Sequence, residues 1–128
     1  MLTSLAFKNL QAVPLADIPR LAPEELRRGL AEDAAAGRRV VLYFGDRGPS
    51  RLTLYAVVAD DDRSRLYAAA VETAAGAKLP SLTPELPELH LFEREVFEEF
   101  GVEPVGHPWL KSVRKGIAGP VADGAPYP

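Results

Sequence analysis

The sequence predicts an α+β domain. Its expected architecture is an antiparallel sheet of about four strands with two helices packed on it, in the order β-α-β-β-β-α, followed by an extended C-terminal arm. Three features carry that expectation. Two stretches, one around Leu26 and Leu30 and one from Leu89 to Phe100, place apolar residues three and four positions apart, the stripe of an amphipathic helix. Between them lie three segments rich in β-branched and aromatic residues. Only the polar breaks "DRGPS" and "DDDRS" separate those segments, and links so short join antiparallel neighbours and leave no room for crossover helices.

Each element has its own signal. The mixed apolar run from Leu5 to Val13 is expected to supply a first strand, after which Pro14 and Pro19 punctuate the chain. Pro23 suits a first helical turn, and Glu24 and Glu25 suit its positive dipole end. Leu26, Leu30 and Ala34 then share one face and Gly37 supplies a stop, so the spacing predicts a helix from about Pro23 to Ala36. Strands are expected over residues 38–45, where "RRVVLYFG" ends at a turn, over "RLTLYAVVAD", and over residues 65–73. Residues 74–87 carry Pro80, Pro84 and Pro87 and read as a loop crossing the sheet edge. Leu89, Phe92, Val96, Phe97 and Phe100 form the stripe of the second helix, which Gly101 ends. From Gly116 onward, "GIAGPVADGAPYP" has no period. Residues 1–115 are therefore expected to fold as the domain, with 116–128 an extended tail or a link toward a following module or a partner.

Composition narrows the functional classes. A chain of 128 residues is most simply one domain, long enough to bury a true core. A net charge of −3 offers no basic surface for nucleic acid. The absence of cysteine excludes disulfides, iron–sulfur ligation, thiolate zinc sites and cysteine nucleophiles within this chain. "MLTSLAFKNLQ" shows neither the basic leader nor the apolar core of a signal peptide, and no run has the apolar length to span a bilayer. Membrane association is expected only through a partner.

The segment "FEREVFEEFGVEPVGHPWLK" concentrates the possible chemistry. Glu93, Glu95, Glu98, Glu99 and Glu103 crowd one helix and its exit. A helical carboxylate metal site needs Glu-x-x-His motifs from two helices, whereas this chain has only His90 and His107, and His90 precedes its glutamate. Acid–base work by a carboxylate pair needs a pocket that perturbs one of them, which the sequence does not reveal. The plainer reading is a solvated acidic face, with Glu95 and Glu99 a like-charged pair one turn apart. The patterns GxxxxGK(S/T), GxGxxG and GxSxG are all absent. Pro104, Gly106 and Pro108 fix the backbone that presents His107 and Trp109. Trp109 and Leu110 are expected to fold back over the end of the core, with His107 capping or hydrogen-bonded. Lys111, Arg114 and Lys115 form a basic run, suited to pairing within the chain or to docking on another protein. A small carboxylate enzyme or a ligand-binding domain remains open at this point.

The same residues carry a resemblance. Glu93-Arg94-Glu95, Glu98, Phe100-Gly101-Val102, Gly106-His107-Pro108 and Leu110-Lys111 resemble the signature ERExxDxFGIxFxGHPxLRR of the 30-kDa subunit of respiratory complex I. The approach "LPSLTPELPELHLFERE" also looks like that family. The fuller "LFEREVFEEFGVEPVGHPWLKSVR" is more similar still to the N-terminal domain of large subunits in membrane-bound NiFe hydrogenases of the formate hydrogenlyase type. Glu99 and Arg114 stand where the complex I pattern is apolar, and Ser112 stands where the hydrogenase variant has proline. The resemblance implies a non-catalytic docking domain on the cytoplasmic side, peripheral to the inner membrane, that packs against a large subunit and a small iron–sulfur subunit. It implies no cofactor in this chain, with NiFe and iron–sulfur centres in partner modules. A stand-alone subunit of NADH-quinone oxidoreductase (complex I) is the alternative within the family. Glu93, Arg94 and Glu95 would be the structural hub, His107 would anchor the corner, and the tail from Leu110 to Lys115 would lead toward the partner. "DGAPYP" looks like the start of a link into a hydrogenase module, so the chain is expected to be one domain of a longer polypeptide.

Overall fold

Residues 1–114 are described by the structure, a computed structural model. The expected arm, 116–128, and Lys115 lie outside the described residues. The elements follow as β1 (Leu5–Phe7), α1 (Pro23–Ala35), β2 (Arg39–Arg47), β3 (Leu52–Asp60), β4 (Arg65–Thr73), β5 (Lys78–Pro80), α2 (His90–Phe100) and β6 (Glu103–Val105), with short 3-10 turns at Leu15–Asp17 and Pro87–Leu89. The main sheet has the order β1-β4-β3-β2, every neighbour antiparallel. This is the expected α+β architecture of a four-stranded antiparallel sheet with two helices.

Both helices lie on one face of that sheet. Leu26 and Leu30 of α1 and Val96 of α2 meet Leu54, Ala56, Val58, Ala69 and Val71 in one core. Strand alternation sends the other side chains outward, where Tyr55, Ala68 and Ala70 pack under Ile18 in a second, smaller cluster. In β2 the register slips between Val40 and Leu42. That bulge keeps Val40 and Tyr43 toward the core while Leu42 and Phe44 point outward, each about 44% exposed. Phe44 stacks on Tyr55 with ring centroids 5.5 Å apart.

Two expectations need correction. The first strand ends at Phe7, because residues 8–11 turn sharply: the Gln11 N–H donates to the Lys8 carbonyl at 3.0 Å and Leu10 adopts φ +66°. The proline-rich segment 74–87 is not all loop. Lys78–Pro80 forms β5 and pairs in parallel with β6, register Leu79↔Pro104. Strands of three residues carrying proline have no readable period, and proline is tolerated there because the ribbon is all edge.

Buried charge reinforces the N-terminal half. Asp33, fully buried, accepts from the Leu2 N–H at 3.2 Å and from Arg38 Nη1 at 3.1 Å. The Arg38 guanidinium lies 3.9 Å from the centre of the Tyr67 ring and reaches Asp60 at 3.6 Å.

α2 crosses β2 closely, and one glycine sets how closely. A methyl group on Gly45 would lie 2.5 Å from the Phe100 ring. Gly45→Ala is therefore expected to cost about 1–3 kcal/mol by overpacking, seen as a lower urea midpoint at unchanged slope. A loss below about 0.5 kcal/mol would show that the Phe100 ring gives way freely.

Candidate functional site

The apolar stripe of α2 faces the core through Val96, with Phe92 and Phe100 half-buried against it. Gly101, at φ +72°, ends the helix, and its N–H donates to the Phe97 carbonyl at 2.8 Å. The flanks of the stripe should then be solvated. They are not: Glu93, Arg94 and Glu98 are all at least nine-tenths buried. The expected solvated acidic face is corrected at these positions, because two other stretches of chain cover the flanks and take up the charges.

Glu93 holds the stretch before the helix. Its Oε1 accepts from Ser81 Oγ at 2.7 Å, from Thr83 Oγ1 at 2.6 Å and from the Thr83 N–H at 3.0 Å. Both of its oxygens lie 3.1 Å from the Leu82 N–H. A carboxylate without a cation is thus held in a nest of amides and hydroxyls, where bonds to an ionised acceptor are strongest. On its other side, burial and then the Glu93 charge push the Tyr43 phenol well above the usual tyrosine range.

Arg94 and Glu98 hold the stretch after the helix. They lie one turn apart on one face of α2. Arg94 Nε donates to the Lys111 carbonyl at 2.8 Å and Nη2 donates to the Ser112 carbonyl at 3.0 Å. Glu98 accepts the Val113 N–H at 2.9 Å and the Arg114 N–H at 3.1 Å. Two carbonyls and then two amides are thus gripped in sequence order, which fixes both the path and the direction of residues 111–114. Glu95, half-buried, forms an ion pair with Arg114.

The corner between α2 and this clamp is built on Gly106, at φ +88°, and His107. The His107 N–H donates to the Pro104 carbonyl at 3.1 Å. His107 Nδ1 accepts from the Trp109 N–H at 3.0 Å, so Nε2 carries the proton toward the His90 carbonyl at 3.1 Å. Trp109 does not cover the core as expected. It is 52% exposed, with its indole 4.8 Å from the Arg94 guanidinium and 5.0 Å from the Lys111 ammonium. Pro108 is exposed and Leu110 half-buried. Phe100 lies under the Arg47 guanidinium at 5.3 Å.

The three buried charges fix main chain, and little space is left beside Glu93. Beside Glu93 is a void of about 10 Å³, bounded by Tyr43, Leu79, Val96, Val102 and Pro104, room for no more than one water. Among the described residues no three His, Cys, Asp or Glu side chains converge to hold a metal ion. Sequence reasoning missed Ser81, Leu82 and Thr83, the partners of Glu93. Their signal lies in the family-like approach "LPSLTPELPELHLFERE", where two hydroxyl residues flank Leu82 between Pro80 and Pro84.

Two measurements probe the site. Arg94→Ala and Glu98→Ala are each expected to cost about 1–3 kcal/mol, and together less than the sum, because either change already frees residues 111–114. Strict additivity, or single losses below about 0.5 kcal/mol, would mean that the clamp is not cooperative. Tyr43 gives a pH test. Its folded value is raised, so its contribution is complete below the ordinary value of 10.0 and is lost as pH rises above it. Tyr43→Phe should keep a constant stability difference from the parent up to that pH and gain on it above, by at most about 1.4 kcal/mol per pH unit. Parallel stability curves throughout the alkaline range would contradict this.

No curated protein matches the chain. A family model described as respiratory-chain NADH dehydrogenase, 30 Kd subunit, matches residues 24–115, from the first turn of α1 through the clamp. No helix among the described residues is long and apolar enough to cross a membrane. With most of its length matched, the chain belongs to the family of the 30 Kd subunit of respiratory-chain NADH dehydrogenase and is a subunit of an NADH dehydrogenase-like oxidoreductase complex, a membership that implies assembly with other subunits of the complex I type.

Proposed function

We propose that this chain is a non-catalytic docking module that positions the large catalytic subunit and the small iron–sulfur subunit of an electron-transferring complex. The observation that carries this reading is the use made of the charged motif. The buried charges Glu93, Arg94 and Glu98 are spent on main-chain amides and carbonyls and on two hydroxyls, none on a cleft wide enough for a substrate. Such a helix places other segments; it does not transform a ligand. In this reading the redox centres sit in the partner modules, and the complex lies on the cytoplasmic face, held to the membrane through those partners.

Within the family, the fuller likeness of residues 91–114 to the hydrogenase variant favours the NiFe hydrogenase branch, with this domain preceding a large-subunit module. The family match, described in terms of NADH dehydrogenase, favours a stand-alone subunit of that enzyme. The downstream coding sequence separates them: two CxxC pairs in the same reading frame support the hydrogenase, and a stop codon without them supports the NADH dehydrogenase.

The docking role is tested by affinity purification of the tagged chain from its native host. The parent is expected to bring down the large and iron–sulfur subunits, with iron in the captured complex and no turnover by the chain alone. Arg94→Ala/Glu98→Ala should lose those subunits at least tenfold while retaining the parent's circular dichroism. A chain that purifies alone, or that turns over substrate by itself, would overturn the docking reading.

A further inference from the structure

β2 is the last strand of the main sheet, and no strand among the described residues pairs with its outer edge. Beyond the ladder to β3, no backbone group of residues 39–47 has a partner among the described residues. Proteins normally blunt such an edge with proline, lysine or a covering element. Here Val40, Val41, Leu42, Tyr43 and Phe44 run in succession, and charge is confined to Arg39, Asp46 and Arg47 at the ends. The bulge at Val41 interrupts the register once, near one end of the strand. A nine-residue edge of this kind is a template for another strand.

α2 packs against the same strand, with the Phe100 ring over Gly45. Between them is a groove of about 150 Å³, walled by residues 43–45 on the strand side and by Phe92, Val96, Glu95 and Glu99 on the helix side. The floor is aromatic and aliphatic, and the helix wall is acidic. Glu99 is exposed and has no ion-pair partner among the described residues, and the same holds for Asp46 at the end of the strand. A groove between an edge strand and a helix is the geometry in which peptides bind by strand addition.

We propose that this groove takes an extended, lysine- or arginine-bearing segment of a partner protein as a fifth strand beside β2. The segment's backbone pairs with the open edge, one apolar side chain rests against Phe92 and Val96, and its cations face Glu99 and Asp46, since Glu95 is already paired with Arg114. Charge selects this occupant over a second copy of the chain. Two β2 strands paired across a two-fold axis would set Arg39 opposite Arg47 and bring a second Glu95–Glu99 wall to the same groove. Only the partner's being a subunit of the same complex rests on the docking reading above; the groove's preference for a basic strand does not.

The test uses the whole chain and three synthetic probes: a nonapeptide of alternating valine and lysine, its counterpart with glutamate for lysine, and the lysine peptide N-methylated on alternate amides. Binding is followed by fluorescence anisotropy and by amide hydrogen exchange. The lysine peptide is expected to bind and to slow exchange within residues 39–47. The glutamate and N-methylated peptides should bind at least tenfold more weakly, and Glu99→Lys should weaken the lysine peptide by a similar factor without moving the urea midpoint. Equal binding of the N-methylated or the glutamate peptide, protection confined to other residues, or absence of binding would each overturn the proposal. Concentration-dependent dimerisation that protects 39–47 would also overturn it, in favour of a second copy. Because these readouts need no other subunit, their failure is separable from failure of the co-purification.

Discussion

The fold turns on three ionised side chains of α2 that have been taken out of water. Removing Glu93, Arg94 or Glu98 from solvent is costly unless each finds strong polar partners. The partners come from outside the helix: amides and hydroxyls of residues 81–83 for Glu93, and the backbone of 111–114 for Arg94 and Glu98. Neither stretch belongs to a long strand or helix that would hold it in place by itself. The cost of burying the charges and the need to fix two irregular segments are therefore met by the same bonds. Displacing α2 would expose charges and release both segments together, so the helix and its two flanks behave as one unit.

That unit is tied to the sheet by shape. Phe100 sits where Gly45 has no side chain, so how closely α2 approaches the sheet depends on a missing methyl group in β2. The corner at Gly106 and His107 then sets where Trp109 emerges, with its indole held between two cations at the surface. A rigid aromatic side chain fixed by its neighbours loses little entropy on being covered, which is the property of a useful contact in an assembly. The opposite face of the sheet is only partly covered by Ile18 and the segment around it, leaving Leu42 and Phe44 in view.

How much of this was legible in the sequence depends on the range of the interaction. The stripes Leu26–Leu30 and Phe92–Val96–Phe100 declare their helices because helical period is local. β3 and β4 declare themselves because polar turns bound them. β5 and β6 do not, since each is stabilised by a strand far away in sequence and has too few residues to show alternation. The burial of Glu93 and Glu98 was likewise hidden. Periodicity tells which face of a helix meets the sheet, but not that a second layer of irregular chain will close over its flanks. Trp109 misled for a related reason: residue type favours burial, whereas its indole lies exposed beside Arg94 and Lys111, both distant or unperiodic partners. The signature from Glu93 to Lys111 was recognisable as a pattern, while the reason for each of its charges became visible only from the main-chain atoms they meet.

The clamp also sets rules of substitution. It reads residues 111–114 through their backbones, with the Arg114 side chain adding an ion pair to Glu95, but the backbone groups are not equivalent. Position 112 contributes a carbonyl, whereas positions 113 and 114 contribute N–H groups. Proline keeps its carbonyl and lacks the N–H. Serine and proline are thus interchangeable at 112 as far as anchoring goes, which is why Ser112 can stand where the related pattern has proline. The same exchange one residue later would remove a donor that Glu98 requires. Drift in this segment is permitted or forbidden position by position, according to which half of the peptide unit the helix holds.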